Sequence, residues 1–545
     1  MKWDFKSWIV AGCCFLGVIA WENYLNNKYP ERFAQIESHP STDGDVDQPS
    51  ELVEAAPDLA LANEESSLWT ELSADELVLE NDELSVHFDQ LTGGMRAAVL
   101  KNYRRDLDGS IAYDMLENSR LLIQPARVGQ KAAWESGYHA ERNGRSLKFV
   151  RASQGIEYAH EYTLSESGYG LEVVFSWKNI SGVQQELNTV VLLDKVIAKT
   201  ESKGFLPLPV GKPGMAVVSE KGTVERLDIP AYCKEGRQDN LLDKLRGEVS
   251  LLGYDDHYFL QALLPHRSNM SVSLDRSKSS AAREQDCVMA LMASAPEGRV
   301  NPGQEVSYSM KGWFGPKNNT LMAAYDAELS EVIDMGIFGA LSHFLLSALQ
   351  YIYGLVGNWG LAIAGLVILL KALFFPLVKQ AMVSGHAMQK IRPQMDRIRD
   401  KYKDDPQTQQ REVMRLMSEN KVNPMKGCLP LLLQAPVFIA LYRVLSSSVE
   451  LRHAPFVAWI KDLSAADPYY ITPILLGVAM VAQQKTMPMS GMSKEQERMM
   501  MFLPVMFTGM MLSLPAGMVF YSLTNTVLTI AQQQWLKKRL DAQPA

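Results

Sequence analysis

Lys371 stands alone in an apolar run from Leu361 to Val378 that is long enough to cross a bilayer. At ~1.5 Å rise per residue it lies about 15 Å in from Leu361, near the middle of a hydrocarbon core ~30 Å thick. A cation there costs at least ~2.5–3.5 kcal/mol on insertion scales. Such a residue faces a water-filled cavity, snorkels to an interface or pairs with a buried carboxylate. No Asp or Glu lies within any apolar span, which favours the cavity. The chemistry on offer is attraction of negative charge. No Cys/His spacing suggests zinc, and the nine histidines are scattered.

Other polar residues fall inside apolar spans. Gln434 lies in one, Thr508 in another, and Tyr521, Ser522, Thr524, Asn525 and Thr526 crowd a third. Uncharged polar groups of this kind either bond between packed helices or, with Lys371, line a hydrated groove. The candidate groove set is Lys371, Gln434, Thr508, Tyr521, Ser522 and Asn525.

The elements that must position this set are six candidate spans: residues 5–21, 359–378, 428–446, 469–486, 499–514 and 516–534. With the N-terminus in the cytoplasm, every basic cluster falls on the cytoplasmic side, as the positive-inside rule demands. Residues 379–426 hold eleven Lys or Arg against six Asp or Glu, and the tail 537–545 begins Lys537-Lys538-Arg539. Residues 335–357 are also long enough to span. Spanning would place that eleven-cation loop outside, and Ser342, His343, Ser347 and Gln350 interrupt the apolar run. The segment therefore reads as an interfacial amphipathic helix that turns at Gly357-Asn358-Trp359-Gly360. Val10-Ala11-Gly12-Cys13 is similar to a lipoprotein cleavage site, but the short stretch after Lys6 and the apolar residues continuing to Trp21 favour an uncleaved anchor at 1–21.

The 545 residues carry a formal net charge of −8, which hides an asymmetry. Glu31 to Glu76 holds thirteen acidic side chains against one basic, Arg32. Residues 22–75 read as an acidic disordered linker in an outer compartment. From Glu76 to about Phe314, short alternating runs bounded by Gly, Asn, Asp and Ser predict one large all-β sandwich, in an outer domain at 76–330. Cys233 and Cys287 in that domain either pair in an oxidising periplasm or remain two buried thiols.

In the basic loop 380–426, Met388, Ile391, Met395, Ile398 and Tyr402 recur at spacings of 3, 4, 3 and 4, a coiled-coil seam. Asp404-Asp405-Pro406 breaks it, and Val413, Leu416 and Met417 supply a second stripe. An antiparallel helical hairpin is expected. Its cations, Arg392, Arg397 and Arg399 among them, either contact ribosomal RNA, anionic headgroups or a targeting receptor, or form an ordinary solvated face.

Taken together, Asn358-Trp359-Gly360, Lys371 with Phe375-Pro376-Leu377, Val422-Asn423-Pro424, Gly427-Cys428-Leu429-Pro430, Gln434-Ala435-Pro436-Val437-Phe438 and Leu441-Tyr442 resemble the YidC/Oxa/Alb family of membrane protein insertases. So do Ser448-Val449-Glu450-Leu451-Arg452, Ala454-Pro455-Phe456, Asp467-Pro468-Tyr469-Tyr470 and Gln532-Gln533-Gln534. The layout of anchor, tether and β domain is similar to the Gram-negative YidC branch, whose periplasmic domain is a β-supersandwich. The resemblance implies a five-helix core at 358–536 with a positively charged groove open to the cytoplasm and to lipid. A nascent membrane protein's polar segment would enter it while the apolar helix slides into the bilayer. It implies no cofactor and no enzymatic step, with the Sec translocon, the ribosome, a targeting receptor and membrane lipids as partners. Most bacterial members carry arginine where this chain has Lys371, so forked recognition is not expected here. Other groove positions that are often polar are here Val367 and Ser522, whereas Gln434 and Tyr521 align with the family's own residues.

Two rival classes bear on the same features. A secondary transporter or channel also places charge at midplane, but repeat symmetry and paired ionisable groups are missing from this sequence. An enzyme acting on sugars in the outer domain would need paired carboxylates or His in a cleft, a grouping that sequence order does not reveal.

Overall fold

The computed structural model describes residue 73 and residues 76–117, 119–127, 137–197, 215–220, 223–228, 249–266, 271–277, 287–294, 298–333, 335–403, 405–420, 425–486 and 494–542. The expected span 5–21, nearly all of the acidic tether, and Cys233 lie outside these residues.

Alternation of apolar and polar residues builds the first half. In Ile156–Leu164 the odd partners of the alternation, Ile156, Tyr158, His160, Tyr162 and Leu164, turn inward, because successive side chains of a strand point to opposite faces. The described strands form two antiparallel nine-stranded sheets. One carries Val78–Glu80, Leu84–Asp89, Gly94–Arg104, Ser119–Arg127, Gln185–Ile197, Cys287–Ser294 and Ser271–Ser277 in that spatial order. The other runs from Thr223–Asp228 through Met215–Glu220, Val249–Asp255, Phe259–Pro265, Glu305–Pro316, Gly170–Asn179, Ile156–Leu164 and Ser146–Ser153 to His139–Asn143. Their inner faces share one core that buries Phe88, Phe149, Trp177, Trp313 and Phe314. Two buried tyrosines tie the sheets together: Tyr162 Oη donates to the Gly93 carbonyl at 2.9 Å and Tyr254 Oη to the Leu193 carbonyl at 3.1 Å.

The last strand ends at Pro316, close to where the alternating pattern stops near Phe314. After Pro316 the chain turns helical, because the Asn318 side chain accepts from the Leu321 N–H and caps α1 (Asn319–Tyr325). A second short helix, α2 (Ala327–Glu331), follows.

Seven further helices complete the described chain: α3 (Gly339–Val356), α4 (Trp359–Lys401), α5 (Pro406–Glu419), α6 (Met425–Ser447), α7 (Ile471–Thr486), α8 (Lys494–Met511) and α9 (Ala516–Asp541). Gly357, at φ +66°, makes the left-handed turn between α3 and α4, and the Asn358 side chain caps α4. Gly360 is required by close approach, since a Cβ there would lie 2.0 Å from the Phe456 ring. Among the described residues, α3 and α4 are the helices both long and apolar enough to cross a membrane.

The span 359–378 and the first arm of the hairpin form one helix. α4 runs unbroken for 43 residues through Pro376 and Pro393, joining the lysine-bearing run to the first arm of the hairpin. Each proline removes one N–H···O bond, yet the helix continues past both. Pro406 opens α5 at its first turn, where Asp405 caps the Thr408 N–H. Ile391 and Met395 are buried against Met388, Val413, Leu416 and Met417, and Ile398 lies outside that cluster.

The helices share a second core, in which Leu345 and Leu349 of α3 meet Ile363 and Leu366 of α4, Leu441 of α6 and Val519 of α9. Around it, Leu361, Leu369 and Leu373, Ile474 and Val478, and Phe502, Val505 and Met506 are exposed. So much outward apolar surface on several helices fits a lipid surround and not water.

A polar seam joins the sandwich to the end of α6 and the segment after it. His257 Nε2 lies 2.6 Å from the Ser446 carbonyl. Glu450 accepts at one oxygen from Asn318 Nδ2 at 2.9 Å and from Gln350 Nε2 of α3 at 3.3 Å. The Arg452 guanidinium sits over the rings of Tyr113 and Phe259, 5.2 and 5.4 Å from their centroids, and donates to the Arg105 carbonyl. Behind them Lys317 and Asp255 pair at 2.8 Å with both side chains 11% exposed. Burial pushes the Glu450 carboxyl above its ordinary value. It does the same to Asp255, where Lys317 opposes the shift.

Candidate functional site

Three helices converge on the lysine. α4 supplies Lys371, α6 supplies Gln434, and α9 supplies Tyr521, Asn525 and Thr529, which recur every four residues and so share one face of their helix. Lys371 Nζ donates to Thr529 Oγ1 at 2.7 Å. One turn away, Gln434 Nε2 donates to Tyr521 Oη at 3.0 Å and lies 3.5 Å from Asn525 Oδ1. Val367, Leu370, Phe374, Leu377 and Val378 of α4 complete the lining of a small cavity with Lys371, Gln434, Tyr521 and Asn525.

The cavity measures about 20 Å3, room for about one water and not for a peptide segment. Lys371 is only partly buried, and among the described residues it has no carboxylate partner. The site therefore presents a cation, two amides and a phenol among apolar side chains. Such groups attract negative charge and hydrogen-bond exposed backbone. Among the described residues, no group of three His, Cys, Asp or Glu could hold a metal ion.

Four of the six candidate groove residues are brought together: Lys371, Gln434, Tyr521 and Asn525. Thr508 and Ser522 are not. Thr508 packs against Gly477 of α7, where a Cβ would meet its hydroxyl at 2.4 Å, and it donates to the Pro504 carbonyl. Ser522 is buried and donates to the Met518 carbonyl. Both hydroxyls are satisfied within their own helix, the common habit of Ser and Thr in apolar helices. Sequence reasoning missed Thr529. Its signal was the four-residue step from Tyr521 through Asn525, which places it on the lysine-facing side.

Comparison with known proteins bears on both halves of the chain. Residues 76–348 match the YidC periplasmic domain, and residues 351–543 match the 60Kd inner membrane protein family. The membrane protein insertase YidC of Geotalea uraniireducens is 43% identical over 86% of this chain and 88% of its own length. The chain belongs to the YidC family of membrane protein insertases. The YidC of Haemophilus influenzae is 30% identical over 98% of both chains, and that of Geotalea daltonii is 35% identical over 86% of this chain and 88% of its own. The periplasmic match takes in the whole sandwich and most of α3, and the membrane match begins at 351 within that helix. In the YidC frame this is a membrane protein with a periplasmic β domain, and the seam at Glu450 and Arg452 lies where the two matched regions meet.

Proposed function

We propose that this chain inserts client membrane proteins by receiving their polar segments at Lys371 and releasing their apolar helices sideways into lipid. The cation half-buried among α4, α6 and α9, with no described carboxylate to neutralise it, carries this reading. A translocating acidic residue meets an opposite charge and water inside the membrane, which lowers the desolvation cost that otherwise blocks its passage. Since the cavity holds about one water, a client enters only when α4 and α9 separate. No covalent step is involved.

In this arrangement α4, α6, α7, α8 and α9 form the five-helix core, with a sixth span at 5–21. α3 lies in the outer interface. Its Leu345 and Leu349 face the bundle while Phe344, Tyr351 and Leu355 are exposed, two faces that suit the plane of the headgroups. The hairpin of α4 and α5 and the basic end of α9 lie in the cytoplasm, as the positive-inside rule requires. There they offer cations to the ribosome, a targeting receptor and anionic lipids, with the Sec translocon as a lateral partner. Arg539 stacks on Trp535 at 4.0 Å, which leaves a cation and an aromatic together at the interface.

Insertion of a small two-span client into proteoliposomes tests the proposal. Lys371→Ala is expected to lower insertion at least about tenfold, whereas Lys371→Arg keeps it. Normal insertion by Lys371→Ala would show that the charge has no part in the reaction.

A further inference from the structure

Thr529 differs from the other hydroxyls of these helices. Thr508, Ser522, Thr526 and Thr529 each donate their proton to the carbonyl four residues back, Thr529 to Asn525 at 2.6 Å. Of these four, Thr529 alone among the described residues also accepts from a cation. A hydroxyl has one proton and two lone pairs, so a threonine whose proton is committed can act toward Lys371 only as an acceptor. The carbonyl of Asn525 thus fixes the direction of the chain of bonds, from Lys371 to Thr529 to the α9 backbone. The Asn525 side chain meanwhile faces Gln434. Lysine has four rotatable bonds and would otherwise reach for the interface.

We infer that Thr529 is a positioning residue that holds the Lys371 ammonium in the cavity, with its remaining donors available to the client, and thereby sets the preference of the groove for acidic segments. A rigid guanidinium fork is pre-organised by its own plane, whereas a lysine needs an external acceptor to hold it. The inference rests on the function proposed above.

The test compares two clients that differ only in their translocated segment, one acidic and one neutral, inserted into proteoliposomes by the full chain. Thr529→Val keeps the shape and removes the acceptor. It is expected to lower the acidic-to-neutral insertion ratio about tenfold, the size of a hydrogen bond to a charged group. Thr529→Ser is expected to restore the ratio to within about twofold of the unsubstituted chain. In a Lys371→Ala background, Thr529→Val is expected to change the ratio no further. An unchanged ratio in Thr529→Val, an equal fall for both clients, or failure of Thr529→Ser to rescue would each overturn the inference, even if Lys371→Ala still impairs insertion. A normal ratio in Lys371→Ala alone would instead overturn the function on which it rests.

Discussion

At the seam between sandwich and helices, buried charges have partners: Lys317 has Asp255, Glu450 has two amides, and Arg452 has two rings and a carbonyl. In the groove, one ammonium has one hydroxyl. A fully partnered charge fixes geometry, since removing either partner strands the other in a low-dielectric site. A charge with donors to spare holds little of the fold together and remains available to something that arrives later. The same residue types thus hold the fold together in one place and are spare to it in the other.

The largest effect expected from this contrast is at the ion pair. Asp255→Ala leaves Lys317 buried and unpaired and should destabilise the sandwich by about 3–5 kcal/mol, read as a lowered midpoint of thermal or urea unfolding of the solubilised chain. A midpoint unmoved by Asp255→Ala would erase the distinction. In the groove the signs should separate. Lys371→Met replaces the cation with an apolar chain of similar length, so unfolding stays level or shifts upward while insertion falls at least about tenfold, or roughly 1.4 kcal/mol. A Lys371→Met chain that melts lower would mean the lysine is as structural as the seam.

Smaller changes sharpen the seam itself. Arg452→Lys keeps the charge but loses the planar stack on Tyr113 and Phe259, at a cost of about 1 kcal/mol on the same unfolding readout. Glu450→Gln should have the smallest effect and a diagnostic pH dependence. The folded carboxyl titrates above its ordinary 4.5, so the folded chain binds that proton more tightly than the unfolded one. Stability contributed by this group therefore falls as pH rises from about 4.5 through the raised value, and the full cost is present at neutral pH. Glu450→Gln should remove this part of the slope and leave the chain within about 1 kcal/mol at pH 7. A slope unchanged by the substitution would mean that Glu450 is not strained by burial.

The sequence made some of this legible. Period-two alternation marked Ile156–Leu164 and its neighbours as strands, and a lysine in an apolar run pointed to the small polar cavity beside it, because both signals are local. The spatial order of the sheets was not readable. Gln185–Ile197 lies between Ser119–Arg127 and Cys287–Ser294, partners about seventy to a hundred residues away that no local pattern names. Polarity alone does not separate Thr508 and Ser522, whose hydroxyls bond their own helix carbonyls, from Thr529, which does the same and accepts from Lys371 as well. What separates them is the direction of a lone pair, which a residue type does not encode.

The unbroken course of α4 gives the molecule a lever. Lys371 and the hairpin tip near Lys401 belong to one rod, with Pro376 just past the lysine. From Pro376 to Lys401 the arm is about 37 Å, so a pull that swings the tip by about 6 Å tilts the rod by only ~10°. A tilt of the rod about that point would carry the hairpin through several ångströms and Lys371, about 7.5 Å away on the other side, through little more than one.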